Sequence, residues 1–111
     1  MPPRDSDNKT LANGTNVRVL LVEDNRVNQI IVLNFLKQLK YSLDIVENGT
    51  QALVKCENSS YDIILMNLMM PVMDGITATK ELRKKGNNAI IIALTANIFE
   101  KARCLQAGMN S

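Results

Sequence analysis

Apolar residues gather into short runs of strand length, and between the runs their period changes. Val17-Arg18-Val19-Leu20-Leu21-Val22, Ile63-Ile64-Leu65-Met66 and Ala89-Ile90-Ile91-Ile92-Ala93-Leu94 are apolar at nearly every position, with a shorter run at Leu43-Asp44-Ile45-Val46. A strand covered on both faces reads this way, because neither set of alternating side chains meets water. From Arg26 to Lys40 the spacing turns helical: Val27, Ile30, Ile31 and Phe35 form a stripe that Val32, Leu36 and Leu39 widen, and this stripe is expected to face inward. Asn48-Gly49 makes a turn, and Thr50 to Asn58 reads as a second helix with Ala52, Leu53 and Cys56 inward. A third helix is expected from Ile76 to Lys85, stopped by Gly86-Asn87-Asn88. Ile98, Ala102 and Leu105 mark a fourth, which runs out near Ala107-Gly108.

Residues 1–16 are rich in Asn, Asp, Ser, Thr, Lys and Pro and read as a flexible leader, so the folded domain is expected over 17–111. The order βαβαβαβα with apolar strands predicts an α/β fold, a doubly wound parallel sheet with helices on both faces. Ligands of such sheets sit beyond the carboxyl ends of the strands. That rule directs attention to Glu23 and Asp24 after the first strand, Asn67 after the third and Thr95 after the fourth.

Composition narrows the chemistry. Of 111 residues, 46% are hydrophobic and 22% charged, which is ordinary for one globular domain. The formal charge of +2 gives no reason to expect nucleic acid or a membrane surface as partner. The one basic run, Arg83-Lys84-Lys85, reads as the solvated last turn of a helix. Histidine is absent, which excludes histidine-based triads, zinc enzymes and phosphohistidine carriers. Cys56 and Cys104 form no metal or redox motif and read as small, reduced, partly buried side chains. No run approaches the ~18 consecutive apolar residues of a membrane span. With no signal-like apolar segment after Met1 either, a cytoplasmic location is expected, free or as the cytosolic domain of a larger membrane kinase.

Adjacent carboxylates at a strand end repel one another, and a hard divalent cation such as Mg²⁺ relieves that cost. Glu23-Asp24 alone is a weak signal; the polar residues past two further strands on the same edge strengthen it. Asn25 and Asn28 read as polar groups that start a helix. Met66, Met69, Met70 and Met73 read as packing residues.

Several ordered motifs resemble the receiver domain of two-component phosphorelay signalling, most of all receivers of hybrid histidine kinases. They are Val19 to Asn25 followed by Val27-Asn28-Gln29, Glu47-Asn48-Gly49 with Ala52-Leu53, Tyr61 to Gly75, Ile91 to Asn97, and Cys104 to Asn110. The resemblance covers about 17–110 and implies a flavodoxin-like sheet of order 2-1-3-4-5. It implies that Glu23, Asp24 and the backbone carbonyl of Met69 hold Mg²⁺, that Thr95 is the switch hydroxyl, and that Pro71 and Gly75 shape the adjoining loop. Its implied partner is a histidine kinase or phosphotransfer protein.

The chain departs from the family pattern in two places. Asn67 stands where the phosphorylated aspartate belongs. A carboxamide oxygen is a poor nucleophile, so no aspartyl phosphate is expected, and Mg²⁺ binding should be weak or absent. The residues leave three readings of Asn67 open: a natural pseudo-receiver, an engineered block of phosphorylation, or a receiver modified on a nearby Ser or Thr. The chain also stops at Ser111, before the family's fifth strand and helix, which reads as a C-terminal truncation. The Ala89–Leu94 edge is then expected to be covered by strand swapping, by a homodimer, by the leader or by C-terminal packing. An unrelated flavodoxin-like nucleotide binder is the remaining alternative, and no Gly-rich phosphate loop opens the first helix to support it.

Overall fold

The structure is a computed structural model, and it describes residues 17–37, 40–69, 73–94 and 101–110. Thr95 and Pro71 lie outside the described residues, as do Met70, Ile98 and the leader.

Eight elements alternate: β1 (Val17–Val22), α1 (Arg26–Leu36), β2 (Tyr41–Val46), α2 (Gly49–Asn58), β3 (Ile63–Asn67), α3 (Gly75–Lys84), β4 (Ile90–Leu94) and α4 (Lys101–Ala107). All strand pairs are parallel, in the order β2-β1-β3-β4. β2 begins two residues before the apolar run that predicted it, because Tyr41 and Ser42 pair with Val17 and Arg18. The chain reverses direction across the sheet between β2 and β3. Right-handed crossovers therefore put α1 on one face and α2 and α3 on the other. α2 packs on α3 and α3 on α4, which places α4 on that second face too.

The main core lies under α2, α3 and α4. Leu20, Val22, Ile64, Met66 and Ile91 from the strands meet Ala52, Ile76, Ala78, Leu82, Cys104 and Ala107 from the helices. Asn48 and Asp74 cap α2 and α3, accepting from the backbone N–H groups of Gln51 and Thr77.

Two expectations need correction. The inward stripe of α1 is not Val27, Ile30, Ile31 and Phe35: these are 64%, 48%, 47% and 80% exposed. The buried residue of α1 is Gln29, flanked by half-buried Val32, Leu33 and Leu36. A polar side chain can be buried there because its amide donates to the Glu23 carbonyl oxygen at 2.7 Å.

Arg83, for its part, is no solvated end of a basic run. It donates to the carbonyls of Gly108, Asn87 and Ala89 and to Asn110 Oδ1, each at 2.8 Å. Lys84 and Lys85 do face water, near Glu81 and Glu57.

Arg83 thereby holds the C-terminal segment against the sheet edge. Gly108, at φ 114°, takes a backbone conformation that favours glycine and turns the chain back. Asn110 then donates its N–H to the Ile91 carbonyl and accepts the Ile91 N–H on Oδ1. C-terminal packing thus covers part of the Ala89–Leu94 edge.

Candidate functional site: an acidic pocket closed by an amide

The sheet register builds the site. Val22 stands opposite Met66, so Glu23 and Asn67, each one residue further on, reach the carboxyl edge at the same level. Asn67 in turn stands opposite Leu94. Glu23 continues the ladder with its N–H on the Val46 carbonyl at 3.0 Å, which fixes its backbone.

The Glu23 side chain is 2% exposed. A buried carboxylate must find donors, because lost hydration costs several kcal/mol on the order of magnitude. Its Oε2 accepts from Asn67 Nδ2 at 2.9 Å, from the Asn25 N–H at 3.0 Å and from Asn28 Nδ2 at 3.4 Å. Among the described residues no Lys or Arg forms a salt bridge with it. Asp24 is exposed, and its Oδ1 lies 3.3 Å from the same Asn67 nitrogen. The Asn67 amide therefore lies between the two carboxylates.

Its orientation follows from its partners. Asn67 Oδ1 accepts the Met69 N–H at 3.0 Å while Nδ2 faces the acids. Flipping the amide would set its oxygen against two carboxylate oxygens and its N–H groups against another N–H.

The Gly75 N–H donates to the Leu68 carbonyl at 3.2 Å, and a Cβ at Gly75 would meet Met66 Cγ at 2.8 Å. The start of α3 therefore presses on the strand tip that carries Asn67. Beside the acids opens a groove of about 620 Å³, lined by Asn28, Ile31, Val32, Phe35 and Leu94.

Sequence reasoning reached Glu23, Asp24, Asn67, Met69 and Gly75, and the structure brings these five together. It missed Gln29 and misread Asn28, whose side chain reaches the Glu23 carboxylate while its backbone N–H is capped by Asn25 Oδ1. The only sequence signal was an adjacent amide pair inside an apolar helix.

The pocket can be tested against Mg²⁺ by its donors. Two carboxylates suit a hard cation. The amide puts N–H hydrogens into the space between them, where a cation would call for oxygen lone pairs. Among the described residues no group of three His, Cys, Asp or Glu could hold a metal ion. No helix among them is long and apolar enough to cross a membrane.

Comparison with known proteins agrees with the fold. The chain is similar to the receiver domain of sensor histidine kinase PA1611 from Pseudomonas aeruginosa PAO1, whose crystal structure has a magnesium ion coordinated in the active site cleft. Identity is 45% with a TM-score of 0.77, covering 86% of this chain and 81% of that one. It is also similar to the receiver domain of the Saccharomyces cerevisiae response regulator Ssk1, solved with the histidine phosphotransfer protein Ypd1. Identity there is 34% with a TM-score of 0.77, covering 86% of this chain and 76% of that one. Hybrid signal transduction histidine kinase B of Dictyostelium discoideum is 40% identical over 108 residues, which is 84% of this chain and 6% of that kinase. The chain thus spans a small part of the kinase it matches. The family profile described as the response regulator receiver domain matches residues 19–111, and the chain belongs to that family.

Proposed function

We propose that this receiver domain is a docking module of a phosphorelay in which phosphotransfer is disabled at Asn67. The observation that carries the reading is the Asn67 amide lodged between Glu23 and Asp24, with its oxygen held by the Met69 N–H. In an active receiver, a carboxylate oxygen attacks the phosphorus of phosphohistidine as the P–N bond breaks. An amide oxygen is neutral, its electron pair is shared with nitrogen, and its product would carry a positive charge. Asn67 therefore forms no acyl phosphate, and the domain is no catalyst of its own phosphorylation.

Within this reading Glu23, Asp24 and the Met69 carbonyl are what remains of a Mg²⁺ site, with affinity weak or lost. Thr95 is the position of the switch hydroxyl, and Pro71 and Gly75 shape the loop. The partner is a histidine kinase or a phosphotransfer protein. The exposed apolar side chains of α1 (Val27, Ile30, Ile31 and Phe35) offer the contact surface, since clustered apolar exposure marks interaction sites.

The test mixes the chain with a phosphorylated histidine phosphotransfer protein and Mg²⁺. A complex that forms while the phosphoryl group stays on histidine supports the reading. Transfer of the group to the chain, or no complex with any such partner, overturns it.

A further inference from the structure

Oxygen Oε2 of Glu23 is the meeting point of two elements. From β3 comes the Asn67 amide at 2.9 Å; from the start of α1 come the Asn28 amide at 3.4 Å and the Asn25 N–H at 3.0 Å. The Gln29 amide holds the backbone carbonyl of the same residue at 2.7 Å. A carboxylate oxygen has two lone pairs, so three donors saturate it. The carboxylate is 2% exposed, and water cannot supply the missing stabilisation.

We propose that Asn28 is a positioning residue of this pocket, and that with Asn67 it forms a two-amide clamp on Glu23 Oε2 in place of a divalent cation. The clamp fixes the first turn of α1 to the tip of β3. Val27 lies in that turn and Ile30 and Ile31 follow it, and all three are exposed. Their placement is therefore set without a metal, and the pocket holds one geometry whatever the Mg²⁺ concentration. The proposal rests on reading Asn67 as the resident group of the site, but it makes no claim about phosphate.

The experiment follows the thermal midpoint and the backbone amide NMR shifts of the full chain as MgCl₂ is added, against NaCl of matched ionic strength. The unsubstituted chain is expected to show no saturable response at Glu23, Asp24 or Asn67. Asn67→Asp is expected to bind Mg²⁺ saturably, on the order of tenfold or more tighter, with a rising midpoint. Asn28→Ala is expected to lower the midpoint by roughly 2–6 °C and to move the amides of Val27 to Ile31. Added Mg²⁺ should recover part of that loss, because a cation can supply the stabilisation that the buried carboxylate loses with the amide.

A residue that only starts the helix would lower the midpoint without this recovery, and that result overturns the clamp. So does a saturable Mg²⁺ response of the unsubstituted chain equal to that of Asn67→Asp, or an unchanged midpoint in Asn28→Ala. If Asn28→Ala fails to fold, Asn28→Ser keeps a short polar group, removes the long amide donor and is read the same way. None of these readouts involves phosphate, so the loss of the clamp would leave the phosphotransfer reading standing.

Discussion

The amide nitrogen of Asn67 lies 2.9 Å from Oε2 of Glu23, and it supplies the shortest of the three hydrogen bonds that this oxygen accepts. Removing it leaves a buried carboxylate short of a donor and facing Asp24 with nothing between them. Asn67→Ala is therefore expected to cost about 1–3 kcal/mol of folding stability. Urea denaturation measures it; a change within a few tenths of a kcal/mol would show that the amide is not needed to hold the acids.

Gly75 should tolerate no side chain. A Cβ there meets Met66 Cγ at 2.8 Å and presses on the backbone of Asn67. Gly75→Ala is expected to lose about 1–3 kcal/mol, since a packed site yields only by shifting its neighbours. The same change should move the NMR signal of the Asn67 side-chain amide. Unchanged stability together with an unmoved signal would mean that the α3 start does not bear on the site.

Arg83 should be a structural residue out of proportion to its place in a basic run. Its guanidinium holds three backbone carbonyls and Asn110 Oδ1. Arg83→Ala is expected to cost about 2–4 kcal/mol and to speed hydrogen exchange at Ile91 and Asn110, which depend on the segment it anchors. Arg83→Lys should recover little, because one ammonium cannot span four acceptors. Full recovery by lysine would contradict the anchoring role.

Tyr61 predicts a dependence on pH at the alkaline end. Its ring is buried beneath the Arg18 guanidinium, 5.2 Å from the ring centre, and its hydroxyl donates to Asp44 Oδ2 at 2.5 Å. Burial first, and then the Asp44 carboxylate, push the phenol upward from its usual value of 10.0. A group raised on folding adds stability that is full below its unfolded value and is lost as pH rises past it. Tyr61 should thus stabilise the fold below a pH of about 10, with the contribution falling above that. Tyr61→Phe should cost about 0.5–1.5 kcal/mol at neutral pH and flatten the alkaline decline. Parallel curves for the two proteins above the phenol's usual value would remove this account.

The sequence made the strands and the pocket's acids legible for a simple reason. A run of apolar residues at every position has few other uses, and parallel strands must end along one edge. Glu23, Asp24 and Asn67 then follow by counting. The face of α1 did not follow, because Ile30, Ile31, Val32 and Leu33 are four apolar residues in succession and periodicity cannot say which of them meets the sheet. The structure turns Gln29 inward and leaves Ile30 and Ile31 out. Asn28 was hidden for a related reason: an amide near a helix start looks like a cap, and only the folded chain brings it to Glu23. The start of β2 was illegible because pairing with Val17 and Arg18, rather than local apolarity, decides it.

The most direct test of the central claim is intact-mass measurement after exposure to acetyl phosphate with Mg²⁺, run on the chain and on Asn67→Asp side by side. The account predicts no added phosphoryl group on the chain, and on Asn67→Asp one group that hydroxylamine removes, as an acyl phosphate requires. A phosphoryl group on the unsubstituted chain that hydroxylamine removes would contradict it.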